Sequence, residues 1–399
     1  MTGIDSSARS RQQRFRLVAT LAVLALVFVM ALSNIVQHRE ARREQQQHLL
    51  MANSNEFQKV RDFELAAKGS GISKTPPQIV EVGLEITNIY NLSIPDQTFM
   101  VNGHFWLSWP ETVQRWLKEE DIEIDQLIGF INNIASYDFK LEPITNKPKK
   151  LANGQYNQKY SFSGHFFSEK LDFIDFPFQT LYFPIRIEVN PEEFALNTNK
   201  PIALIADPQQ PNLLGSLIDI PGLVLKGGKL EPYLHRYYNQ TSVKRESNHN
   251  IYSQVMGIVV FETYPMASIG QWLVPIMIVM FTIFLAPNIS GRLSELRMAI
   301  PSAALLTLVV MQQGFEETIP QLNYLTFLDL TYLWCYAITI ALFALFVWSA
   351  NQWASIELED PDASLRMQSM NARINRMDRR FQICSVLATV VFMLLALSR

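Results

Sequence analysis

LRMAIPSAALLTLVVMQQGFEETIPQLNYLTFLDLTY, residues 296–332, decides how this chain folds. An apolar segment runs into GluGluThrIlePro at 316–320 and a charge-free turn follows. LeuThrPheLeuAspLeuThrTyr at 325–332 then opens a second apolar segment that continues to Ala350. This pattern predicts two long apolar helices joined by an acidic turn with no Lys or Arg.

Working outward, further apolar windows lie at Leu17–Val36, Ile269–Ala286 and Ile383–Leu397, beside Leu296–Val310 and Leu328–Ala350. A bilayer-spanning helix needs about 20 mostly apolar residues, so the spacing reads as a multi-pass membrane protein. Between the first and second windows lie about 230 mixed residues, enough for one exposed domain with its own core. The expected organisation is a basic tail and anchor or signal at 1–37, a polar helical linker at 38–75, a β-domain at 76–265 and a four-helix transmembrane bundle at 266–399, with a short cytoplasmic loop at 351–380.

Positive charge orients the helices, because cytoplasmic loops hold Lys and Arg near the helix ends. Arg292 and Arg297 follow the second window, and Arg366, Arg373, Arg376, Arg379 and Arg380 precede the last. The turn from Gly314 to Tyr324 carries Glu316 and Glu317 and no basic residue, so it faces outward together with the β-domain. The expected location is the cell inner membrane, with the large domain periplasmic or extracellular. Arg9, Arg11, Arg14 and Arg16 before Leu17–Val36 fit either a secretory signal or an uncleaved anchor. The stretch from His38 to Leu65 is rich in helix formers and is expected to be a polar helix.

Cys335 and Cys384 both fall inside apolar windows, so the exported domain holds no disulfide and depends on ordinary burial. A net charge of −3 implies no nucleic-acid partner. The sequence has no phosphate-cradling glycine loop, no zinc-spaced His and Cys set and no nucleophile elbow; the expectation is therefore not an enzyme, with no metal and no cofactor. Within 76–265 the dominant period is two: Thr98–Trp109, Tyr160–Phe166, Tyr182–Val189 and Gln254–Thr263 alternate apolar and polar residues. Turn residues between them predict an all-β sandwich, with one helical insert at Glu111–Leu127.

Three stretches carry a resemblance. GluValGlyLeuGluIleThrAsnIleTyrAsnLeuSerIleProAspGlnThrPhe (81–99), followed by PheTrpLeuSerTrpPro (105–110), is the first. LeuAspPheIleAspPheProPheGlnThrLeu (171–181) is the second, and Tyr252 through Pro275 and on to Asp329 is the third. Together they resemble, in order, the pentameric ligand-gated ion channel family in its bacterial, disulfide-free form. The resemblance implies a homopentamer with a small-molecule site between β-domains and a central pore. It marks Asp175, Phe176, Pro177, Phe178, Gln179 and Glu262 as the coupling region. The family has Asp after PheProPhe and Arg before the first pore-domain helix; this chain has Gln179 and Thr263, so both charges are missing together. Losing both partners of a buried pair costs far less than losing one.

On this resemblance, Ala299, Ala303, Leu306, Val310, Gln313 and Glu317 form the pore-lining stripe, since steps of four and three keep one helix face toward a common axis. Glu295 and Glu317 would place carboxylate rings at the two mouths and favour cations, while Leu306 and Val310 would close by dewetting. The same residues also suit a packing seam between membrane helices. Pro301 removes a helical bond to the carbonyl of Arg297, and Pro275 fits a kink in the preceding helix. Asp329 reads as a first-turn carboxylate that suits the helix dipole. Tyr233, His235, Tyr237, Tyr238 and Tyr252 on the last hairpin are the ligand candidates, because aromatic faces suit cationic amines; cross-strand packing is the competing reading. Two functions follow: a cation channel opened by a small ligand or protons, or a non-conducting membrane sensor on the same scaffold. The expected partners are further copies of the chain, a small ligand and lipid.

Overall fold

The computed structural model describes residues 57–59, 75–134, 138–168, 171–210, 212–215, 218–237, 251–354 and 363–397. The apolar run Leu17–Val36 and most of the expected linker helix lie outside these residues. Of that linker, residues 57–59 form a strand and residue 75 a bend. Phe57–Lys59, β1, pairs antiparallel with the edge of Leu223–Arg236, Phe57 opposite His235 and Lys59 opposite Tyr233. The unpaired N–H and C=O groups of an open sheet edge here outweigh helix propensity, a weak local preference.

The β-domain continues as β2 (Gln78–Ser93), β3 (Thr98–Trp109), the helix α1 (Glu111–Glu119), β4 (Ile128–Phe130), β5 (Lys140–Pro143), β6 (Lys149–Lys150), β7 (Tyr156–Phe167), β8 (Thr180–Val189), β9 (Ile202–Ala206), β10 (Leu223–Arg236) and β11 (Ile251–Thr263). Among the described residues they form two sheets, β1-β10-β11-β8-β4 and β5-β7-β3-β2-β9, with β6 beside β7. All four stretches of alternating sequence lie within strands, and the helical insert is α1 plus a 3-10 turn at Ile124–Leu127.

The alternation does the sorting: on β3, Phe99, Val101, Phe105, Leu107 and Trp109 are buried, while Asn102, His104 and Trp106 between them remain partly exposed. Phe99 of one sheet meets Phe183 of the other with ring centroids 4.9 Å apart, and Phe105 stacks on Tyr160 at 5.1 Å. Each fully buried side chain of this size contributes roughly 1.5–3 kcal/mol relative to exposure. Trp109 satisfies its buried N–H by donating from Nε1 to Gln114 Oε1 of α1 at 2.8 Å. Gly257 lets β11 pass Leu84, because a Cβ there would overlap Leu84 Cδ2.

After β11 the chain becomes helical: α2 (Pro265–Asn288), α3 (Ser294–Glu316), α4 (Phe327–Ala354) and α5 (Ala363–Leu397). The first three are long and apolar enough to cross a membrane. Within α2 a π turn at Ile269–Leu273 ends two residues before Pro275. The wider turn accommodates a residue that has no N–H for the carbonyl four residues back. α3 runs through Pro301 without a break. α4 opens with a reciprocal cap: Thr326 N and Oγ1 donate to Asp329 Oδ2 at 2.9 and 2.8 Å, and Asp329 N donates to Thr326 Oγ1 at 3.1 Å. Asp329 is therefore a helix-capping carboxylate.

The expected loop at 351–380 is corrected: residues 351–354 belong to α4 and 363–380 to α5, while 355–362 lie outside the described residues. Good helix formers fill 363–380, and the helix is held from one side by buried Ile374 and Asp378. Nearer its end, α5 is tied to α4 by Trp334, whose Nε1 donates to Thr389 Oγ1 at 3.2 Å and whose ring stacks on Phe392 at 5.0 Å.

Candidate functional site

α3 presents two faces. Arg297, Pro301, Ala304, Leu308 and Phe315 are buried against the other helices. Ala299, Ala303, Leu306, Val310, Gln313 and Glu317 are all exposed, Leu306 by 68% and Val310 by 58%. The packing seam within the chain is thus a different set from the expected stripe. Glu295, in the first turn, is exposed as well. At the other end Gln312 Nε2 donates to Glu316 Oε1 at 2.9 Å, while Gln312 Oε1 accepts from Tyr336 Oη of α4 at 2.8 Å.

The turn between β7 and β8 meets the helices through aromatic rings. Phe176 packs between Trp272 of α2, at 5.5 Å between centroids, and Phe315 of α3, at 5.1 Å. Phe178 lies 6.4 Å from Phe327, and the peptide bond between Phe176 and Pro177 is cis. Two hydrogen bonds complete the junction: Phe327 N donates to Ile174 O at 2.8 Å, and Phe173 N donates to Tyr324 Oη at 3.1 Å. Every contact but one of this set involves the turn and the α3–α4 segment.

Gln179 and Thr263 do come together. Thr263 N donates to Gln179 O at 3.2 Å, and Thr263 Oγ1 donates to Pro177 O at 3.0 Å. Neutral hydrogen bonds occupy this position. Asp175 closes the turn by accepting from Phe178 N through its carbonyl at 2.8 Å. Glu262 lies 2.9 Å from Lys226 Nζ of the neighbouring strand, an ion pair within the β-domain.

Four of the ligand candidates, Tyr233, His235, Tyr237 and Tyr252, share the outer face of the five-stranded sheet. Register places Tyr233, Gln254 and Glu188 side by side across β10, β11 and β8, with His235 opposite Tyr252 two residues further along. Residues opposite one another in an antiparallel pair project on one face. His235 Nδ1 lies 2.5 Å from Glu188 Oε2, and Tyr237 Oη donates to Glu188 Oε1 at 2.7 Å. The His235 and Tyr237 rings are 4.0 Å apart, and Tyr237 meets Tyr252 edge-on at 5.3 Å. Burial pushes the phenols of Tyr233 and Tyr237 above their ordinary range; Glu231 reinforces this at Tyr233 and Glu188 at Tyr237, while the charge of Arg186 opposes it at both. Gln254 is completely buried, and neither of its amide atoms has a hydrogen-bond partner among the described residues. Tyr238 lies outside the described residues.

A fourth feature escaped sequence reasoning. Arg297 Nη2 donates to Asp378 Oδ1 at 2.7 Å, with side chains only 1% and 5% exposed. Nη1 reaches Ser349 Oγ at 3.4 Å, and the guanidinium carbon sits 4.1 Å from the centre of the Phe346 ring. In the sequence the side chain of Arg297 reads as a loop charge, and Asp378 sits among four arginines, at 373, 376, 379 and 380, that mask it in a charge count. Glu188 and Gln254 were missed too; strand alternation places them on the outer face, but which strands are neighbours is not written in the local pattern. No family model matches the chain, and no curated protein matches it.

Proposed function

We propose that this chain is one subunit of a homopentameric, cation-permeable channel of the inner membrane, opened by a small ligand or protons acting on a periplasmic or extracellular β-domain. In this reading α2 to α5 form the four-helix transmembrane bundle. The observation that carries it is the exposure of the whole stripe from Ala299 to Glu317, opposite a separate buried seam. A face that lines a pore is open within one subunit and meets water on the axis of the ring.

Ligand action has a place in the cluster of Glu188, His235, Tyr237, Tyr252 and Gln254. An unsatisfied, fully buried amide is costly, and a polar ligand that completes it gains that energy on binding. The aromatic seating of Phe176 between α2 and α3 offers a route from β-domain to pore in place of the missing ion pair. A non-conducting sensor on the same scaffold is the competing reading; Ala299 and Ala303, which bring no hydroxyls to the inner half of the stripe, favour it.

Reconstitution into planar bilayers tests the proposal. Leu306→Ser puts a hydroxyl at the apolar constriction, so the variant is expected to pass cation current without added ligand. A Leu306→Ser protein that inserts, keeps its oligomeric mass and passes none would reject conduction and leave the sensor.

A further inference from the structure

Arg297 sits two residues from Glu295 and two from Ala299 on the exposed stripe of α3. Uncompensated, a ring of such guanidiniums would oppose the carboxylate ring at the same mouth. The structure shows where that charge goes. It points away from the stripe into the seam with α4 and α5, and there meets Asp378 at 2.7 Å. We infer that Asp378, on a helix that contributes nothing to the stripe, sets ion selectivity at the Glu295 mouth; the inference rests on the channel reading. Asp378 acts twice: it cancels the charge of Arg297, and it holds the guanidinium on the far face of α3.

The burial makes this electrostatics effective. Both side chains are nearly inaccessible, and charges taken out of water interact over longer distances than screened ones. The other described basic side chains at this end of the helices differ in kind. Arg292 and Arg373 are exposed over the rings of Trp353 and Trp348, at 5.8 and 5.6 Å, and Arg376, Arg379 and Arg380 are also exposed. Salt screens them, and they affect the mouth weakly. Arg297 also has a second anchor in Ser349 Oγ and packs on the face of Phe346, so three helices fix its position. Asp378 is a positioning residue that acts through Arg297.

The test is the reversal potential of the full-length protein in a potassium chloride gradient, recorded in the Leu306→Ser background so that no ligand is needed. Asp378→Asn is expected to move the reversal potential toward the chloride equilibrium value. Arg297→Gln with Asp378→Asn removes both charges and is expected to restore the value of the background. An unchanged potential in Asp378→Asn, or a double variant shifted as far as the single, overturns the inference. Should Asp378→Asn fail to assemble, Arg297→Gln alone decides: it leaves the Asp378 carboxylate without its partner near the Glu295 ring, so a shift toward potassium supports the inference, and no shift or a shift toward chloride overturns it. A background protein that passes no current overturns the channel reading itself, before any variant at 297 or 378 is compared.

Discussion

Phe176 of the β-domain and Phe315 of α3 meet with ring centroids 5.1 Å apart, so a turn between two strands rests directly on the helix that carries the exposed stripe. Trp272 closes the other side of Phe176 at 5.5 Å. Both phenylalanines are buried, and α3 cannot tilt without disturbing this seat.

Phe176→Ala is expected to cost about 3–5 kcal/mol, the usual range for removing a buried Phe. Phe176→Leu, which refills most of the volume, is expected to cost under about half of that. Thermal unfolding of the purified protein in detergent measures both. In bilayers Phe176→Ala should also raise the ligand concentration needed for half-maximal current. A melting temperature unchanged from wild type would show that the seat is not a packed contact.

Leu306 and Leu308 give a paired comparison on one helix. Leu308 is completely buried and Leu306 is 68% exposed. Leu308→Ser is expected to destabilise by roughly 3 kcal/mol or more, from lost packing and a buried hydroxyl. Leu306→Ser should stay within about 0.5 kcal/mol of wild type, as surface changes do. Equal losses at the two positions would mean that both belong to packing seams.

Arg297 and Asp378 should show strong coupling in unfolding. Asp378→Asn strands a buried guanidinium and is expected to cost about 3–5 kcal/mol, while Arg297→Gln with Asp378→Asn should cost clearly less than the two single changes added together. Simple additivity would deny the pair.

The sequence and the structure agree where a local period decides the outcome on β3 and α3, whereas β8 and β11, read as alternating, are buried along almost their whole length. Phe99 to Leu107 alternates in sequence and alternates in burial, and steps of three and four from Ala299 to Glu317 give a face that is exposed throughout. They part where long-range pairing decides. Phe57–Lys59 belongs to a stretch of good helix formers, yet an open strand edge recruits it. Asp378 lies 81 residues from Arg297, and nothing in its neighbourhood of arginines says that it alone turns inward. The hydroxyl partner Ser349 and the Glu188 beside His235 are likewise products of packing and strand order.

Tyrosine titration probes the β-domain. Tyr160, Tyr233 and Tyr237 all have phenols raised above the ordinary value of 10.0, with burial the first cause. A raised native value means that the folded chain keeps its proton while the unfolded chain loses it. The stabilising contribution is therefore complete below about pH 10 and falls as pH rises toward the native values. Absorbance of tyrosinate near 295 nm should show these phenols lagging behind the exposed ones, with the lag abolished by denaturant. A single transition for all 13 tyrosines at the ordinary value would contradict the burial of this face.

The proposed pore is a ring of five α3 stripes around one axis, and native mass spectrometry of the purified complex in mild detergent measures the copy number without knowledge of the ligand. A dominant species at five times the mass of one chain is expected. A monomer or dimer that persists across detergents would contradict a central pore and leave Leu306 and Val310 facing lipid or another partner.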